Sequence, residues 1–185
     1  THTRLDLVFE NGASMLFHDI RRFATFHYTD SHSHYQGLTI LGPDAITEEF
    51  SGQYLRIVLK KRKKTIYNTL MDQSIVAGLG NIYVNEVLFA CGLNPETPSN
   101  QVAESLTQCE SIVQHTRRIL TIAINYKGTT LVDNTYKTAY GEYGQFFNQL
   151  KVYGRQAQVC SNCNCMIEKI KIGGRSVYRC PNCQK

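Results

Sequence analysis

The chain has no apolar run approaching the roughly 18 residues of a membrane-spanning helix, which excludes a helical membrane protein. It has no internal repeat, so a solenoid or propeller is excluded as well. Its opening residues do not read as a secretory leader. Acid is missing where base gathers. Residues 56–64 hold Arg56, Lys60, Lys61, Arg62, Lys63 and Lys64 with no Asp or Glu. From Tyr153 to the end there are six Lys or Arg against Glu168 alone. On a chain of formal charge +5, two such clusters suit a polyanionic partner; two solvated faces are the plainer alternative. The seven cysteines are odd in number and four sit at metal-ligand spacing. A disulfide framework is therefore disfavoured, and an intracellular protein with a bound metal is expected.

What is present suffices for one or two small domains, with 185 residues of which 42% are hydrophobic. Near the start, "LDLVF" and "MLFHD" flank "ENGAS", and Asn-Gly between apolar runs signals a hairpin. "FATFHY" adds a third extended run. Three strands are too few for a sheet standing alone, so further sheet partners are expected upstream. Residues 30–43 are polar, with Gly and Pro, and read as a linker. Helical patterns follow in "DAITEEFSGQYLRIVLKK", in the short "TIYNTLMD" and in "NIYVNEVLFACG". In the last of these Asn81 is the expected N-cap and Gly92 lies just past the end. Ser105 and Gln108 form a capping box before a stripe of Leu106, Cys109, Val113, Leu120 and Ala123. Gly128 stops that helix, and residues 129–150 read as a loop and a short helix.

The closing segment carries Cys160-x2-Cys163, sixteen residues, then Cys180-x2-Cys183. That spacing predicts one tetrahedral, structural zinc held by four thiolates, two from each knuckle. Cys165 fits the knuckle less well and is a spare thiol. "IEKIKI", "GG" and "RSVYR" read as a β-hairpin between the knuckles, with Ile167, Ile170 and Ile172 set among charges. Gly173 and Gly174 make a tight turn that directs the tip outward and presents Arg175. A guanidinium there suits bidentate phosphate contact; an ordinary exposed Arg is the alternative. A second anion site is expected at "MDQSIVAGLGNIYVNEVLFACGLNP". Glycine-rich turns and a new helix N-terminus aim backbone N–H groups at one point, with Asn81 adding a side-chain donor.

Taken in order, "RRF", "DQSIVAGLGNIYVNEVLFACGLNP", "VYGR" and "GGRSVYRCPNCQK" with the cysteine unit resemble the formamidopyrimidine-DNA glycosylase family over nearly the whole chain. The endonuclease VIII family shares the helix-two-turn-helix and the zinc finger, but "VYGR" and "RRF" lean toward the formamidopyrimidine branch. The resemblance implies an α+β chain: residues 1–30 as the closing strands of a β-sandwich catalytic domain, 31–43 as linker, 44–152 as helix-two-turn-helix domain, and 153–185 as zinc finger. It implies a bifunctional glycosylase and AP lyase that excises oxidised purines, such as 8-oxoguanine and formamidopyrimidines, in base-excision repair. The partner is damaged double-stranded DNA, met as a monomer in the bacterial cytoplasm and nucleoid, away from membranes. Asn81 would bind backbone phosphate at the lesion and Arg175 the phosphates flanking the flipped nucleotide. Arg21 would pair with the orphaned base while Phe23 wedges into the stack. Residues 129–147 would form the loop over the damaged base.

The departures are specific. The family's N-terminal proline nucleophile, its neighbouring glutamate, a lysine and a wedge methionine have no match here, so no catalytic residue is expected in this chain. Ile20 stands where the family has Pro, Ala24 where it has Gly, and Tyr67 where it has a lysine. Three other readings stay open: a DNA-binding module without chemistry, an endonuclease VIII-type glycosylase acting on oxidised pyrimidines, and a zinc-ribbon protein binding structured RNA.

Overall fold

The computed structural model describes residues 2–19, 22–31, 35–131, 137–138 and 140–185. They divide into two compact units, Thr1–Thr39 and Ile40–Lys185.

In the first unit, β1 (Thr3–Val8) and β2 (Ser14–His18) form the expected antiparallel hairpin, with Asp6 opposite Leu16. The Asn-Gly turn closes through Phe9 N–H to Ala13 O at 2.8 Å, and Gly12 takes φ +81°. The third extended run makes no ladder: residues 23–28 belong to no strand, although Phe26 meets Phe17 edge-on at 6.1 Å. An extended, β-prone segment becomes a strand only when a neighbour supplies its ladder bonds, and among the described residues none does. A short helix, α1 (Gln36–Thr39), falls within the segment read as linker.

The second unit is helical and ends in a hairpin. Its helices are α2 (Gly52–Lys60), α3 (Ile66–Leu70), α4 (Asn81–Ala90), α5 (Ser99–Val102) and α6 (Leu106–Asn125). A 3₁₀ turn at Phe146–Gln149 and strands β3 (Glu168–Ile172) and β4 (Arg175–Arg179) follow. Helix α2 begins eight residues later than its apolar pattern, because two polar side chains claim backbone N–H groups first. Asp44 folds back to accept from Ile46 N–H, and Ser51 caps the helix by accepting from Tyr54 N–H at 3.2 Å. Ser105 caps α6 as expected, accepting from Gln108 N–H at 3.2 Å.

Helix α4 runs through the core with Val84 through Phe89 buried, as an apolar pattern on all sides requires. Leu55 and Leu59 of α2 and Cys109, Ile112, Val113 and Leu120 of α6 belong to the same cluster. Ile172 and Val177 carry the β3–β4 hairpin into that core, and a smaller cluster of Phe89, Val152, Cys160, Ile167 and Cys180 lies beneath the cysteines.

Candidate nucleic-acid interface and metal site

The sulfurs of Cys160, Cys163, Cys180 and Cys183 lie within 4.8 Å of one another. Cys163 is 3.5 Å from Cys180 and 3.6 Å from Cys183, and Cys160 is 3.9 Å from Cys183. Metal–sulfur bonds of about 2.3 Å in a tetrahedron place sulfurs about 3.8 Å apart, so the donor set fits one ion. The first knuckle is held by the backbone: Asn162 N–H donates to Cys160 Sγ, and Cys160 N–H to Cys165 O. Cys165 supplies that carbonyl and lies outside the group of four. Hydrogen bonds, first that from the Cys165 backbone, draw the Cys163 thiol down to about 6, while burial pushes Cys183 up. Metal binding would displace the remaining protons.

Three anchors fasten this unit to the helical domain. Gln184 is buried; it accepts from Cys180 N–H at 2.8 Å and donates to Leu93 O at 2.9 Å. Arg179 joins Glu96 at 3.0 Å and Glu168 at 3.4 Å. Glu86, on buried α4, accepts from the N–H groups of Lys151, Val152 and Tyr153 at 2.8–3.0 Å. Burial raises the Glu86 carboxyl, and those three donors oppose the rise. Glu86→Gln turns one acceptor oxygen into a donor facing N–H groups. It is expected to cost about 2 kcal/mol, read as a lower urea midpoint with unchanged m-value.

The expected N-cap role of Asn81 is corrected. Gly80 occupies the cap with extended backbone (φ −110°, ψ 178°), and Asn81 is the first helical residue. Its side chain is engaged elsewhere. Asn81 Oδ1 accepts from Tyr67 Oη at 2.8 Å and from Asn85 Nδ2 at 3.0 Å, and Nδ2 donates to Ser176 O at 3.4 Å. Ser176 is the neighbour of Arg175, so the side chain of Asn81 reaches, across 95 sequence positions, the backbone of the residue next to the other expected phosphate ligand. Arg175 is exposed, and its charge reaches Tyr67: burial pushes that phenol up while the guanidinium pulls it down.

The hairpin tip is exposed and is approached on one side by α3. Gly173 and Gly174 take φ +56° and +78°, and a Cβ on Gly173 would sit 2.7 Å from Asn68 Oδ1 of α3. The two-glycine turn thus serves a close approach that lays Arg175 beside α3 and α4. Gln73 builds the preceding turns, accepting from Gly78 N–H at 3.0 Å and donating to Leu79 O at 2.9 Å.

Phe23 is 83% exposed. It projects from a turn that Asp19 holds by accepting from Arg22 N–H and Ala24 N–H, both at 2.9 Å, with Arg22 at φ +58°. Arg21 lies outside the described residues, as do residues 132–136 and 139 of the expected base loop at 129–147. Sequence reasoning missed Asn85, Glu86 and Gln73, and took Tyr67 only as a departure. A signal existed for two of them, because Asn85 and Glu86 are the only polar pair inside the apolar run of α4.

The model of the formamidopyrimidine-DNA glycosylase H2TH domain matches residues 41–135. The chain belongs to the formamidopyrimidine-DNA glycosylase family. It is 38% identical to the formamidopyrimidine-DNA glycosylase of Lactobacillus johnsonii and 42% identical to that of Synechocystis, over 99% of its own length in each case. It spans 66% and 64% of the length of those relatives. Among solved structures it resembles the MutM (Fpg) protein of Thermus thermophilus, with a TM-score of 0.88 at 32% identity, covering 99% of this chain and 68% of that one. It also resembles Lactococcus lactis Fpg in complex with DNA containing an abasic site, with a TM-score of 0.87 at 34% identity, covering 100% and 67%. The expected α+β class holds, with helices, two small antiparallel sheets and a four-cysteine unit. No helix among the described residues is long and apolar enough to cross a membrane.

Proposed function

We propose that this chain grips damaged duplex DNA as part of a formamidopyrimidine-type DNA glycosylase and AP lyase acting on oxidised purines in base-excision repair. The observation that carries this reading is the meeting of Asn81 with the strand that bears Arg175. An amide donor, and a guanidinium carried by the residue next to its strand contact, suit two non-bridging phosphate oxygens. The basic run Lys60 to Lys64 leads directly into α3, whose Tyr67 touches Asn81, so positive charge lies next in the chain to the same site.

In this reading the four cysteines hold one structural zinc, which supplies no chemistry and fixes the hairpin. Arg175 and Asn81 clamp the backbone at an extruded nucleotide. Phe23 enters the stack and Arg21 faces the orphaned base. Residues 1–30 close the β-sandwich of the catalytic domain, 31–43 link it onward, 44–152 form the helix-two-turn-helix domain and 153–185 the finger. Attack at C1′, release of the base and β,δ-elimination are steps of the whole glycosylase, for which this part bends and holds the duplex. The protein works as a monomer on nucleoid DNA in the cytoplasm.

Binding to a duplex with one abasic analogue, an undamaged duplex and a structured RNA tests the reading, with borohydride trapping on 8-oxoguanine DNA alongside. Preference for the abasic duplex by about tenfold or more, without a covalent adduct on this chain, is expected. Equal binding to RNA would replace the reading with an RNA-binding one. A trapped adduct would place a nucleophile within these 185 residues.

A further inference from the structure

We infer that Tyr67 is a positioning residue: its buried hydroxyl, together with the Asn85 amide, holds the Asn81 amide with its NH₂ end toward the DNA phosphate. The inference rests on the phosphate reading of Asn81.

A chain of hydrogen bonds reaches Asn81 with its polarity forced at the far end. The Tyr178 N–H on β4 can only donate, and it does so to Asn85 Oδ1. Asn85 is fully buried, so its amide has one orientation, with Nδ2 directed to Asn81 O at 2.7 Å and Asn81 Oδ1 at 3.0 Å. Asn81 Oδ1 must then face inward as acceptor. Tyr67 Oη, 2.8 Å away on a fully buried ring, completes it as the second donor. Burial raises the phenol's pKa, so the hydroxyl keeps its proton. With Oδ1 doubly engaged, only Nδ2 is left on the side of β4, where Ser176 O lies 3.4 Å off and Arg175 precedes it. A phosphate oxygen accepts only, so an amide presenting Nδ2 binds it and one presenting Oδ1 repels it. Tyr67 and Asn85 hold the binding orientation before DNA arrives.

Tyr67→Phe removes the donor and keeps the ring. Affinity for a duplex carrying a tetrahydrofuran abasic analogue is expected to fall about three- to tenfold, the worth of one hydrogen bond. The salt slope should stay unchanged, since the charge is the same. In an Asn81→Ala background the same change should cost less than about twofold, because the amide it orients is gone. A reduction of equal size in both backgrounds would mean that Tyr67 acts only through the fold and would overturn the inference. If Asn81→Ala alone leaves binding intact, the phosphate reading itself fails, and the role of Tyr67 with it. Should Tyr67→Phe not fold, the side-chain NH₂ of Asn81 in the unaltered chain decides. Slow exchange and one shifted pair of signals on adding the duplex support the inference; rapid averaging of two orientations refutes it.

Discussion

Removal of the metal from the four cysteines is expected to release one ion per chain and to weaken binding to abasic duplex about 30- to 100-fold, the worth of one charge-assisted phosphate contact. The helical core should survive. Among the described residues the cluster beneath the cysteines buries Phe89, Val152, Cys160, Ile167 and Cys180, with half-buried Tyr178 and the other cysteines against it, too small a core to hold two knuckles without ligation. Where sites of this kind have been measured in isolation, the metal contributes about 10–16 kcal/mol, which is folding free energy. Unfolding should begin at the knuckles and spread to the anchors, because Gln184 is held by Cys180 N–H on one side and Leu93 O on the other. Ile172 and Val177 remain packed in the larger core, so residual hairpin is expected while Arg175 no longer keeps its position. Metal release followed with a chromophoric chelator, on the same sample as fluorescence anisotropy of labelled duplex, measures both. Unchanged affinity after stoichiometric release would remove the finger from the interface. Cys183→Ser should act as chelation does, since three thiolates leave an open position.

The difference between what could be read from the chain and what could not follows the range of the interactions. Short turns and ligand pairs are local: the three residues around Asn-Gly closed β1 and β2, Gly173-Gly174 closed β3 and β4, and each Cys-x-x-Cys made its own knuckle. Ser105 capped α6 for the same reason, with its acceptor three residues from its donor. Asn81 looked equally local and was not. A cap is favoured only if no better partner competes, and Tyr67, Asn85 and Ser176 compete from other parts of the site. The third strand failed on the same ground, since "FATFHY" has the composition of a strand and no described neighbour to pair with. The hairpin tip is exposed and also approached from one side, because glycine frees φ and admits close approach; Asn68 Oδ1 at 2.7 Å from a Gly173 Cβ uses the second property. Buried polar residues inside an apolar helix are the signal that was passed over. Asn85 and Glu86 could sit there only if satisfied, and each ties the terminal unit to α4.

Arg175→Ala is expected to lower affinity for abasic duplex about 30- to 100-fold near 50 mM salt, and to reduce the slope of log K against log salt by about 0.9 for each phosphate that is no longer neutralised. The guanidinium follows the turn and is exposed, so its removal leaves no cavity and the melting temperature should hold within about 1 °C. Arg175→Lys separates charge from geometry. It keeps the salt slope, because one cation still displaces one counterion. Its affinity should drop about five- to tenfold, because a point charge cannot span two oxygens as the planar fork does. The contrast with Tyr67→Phe, which should weaken binding without touching the slope, assigns each residue its part: Arg175 supplies charge and Tyr67 supplies orientation. Arg175→Ala with both affinity and slope within about twofold of the parent would leave Arg175 as a solvated surface residue. The meeting of β4 with Asn81 would then be structural only.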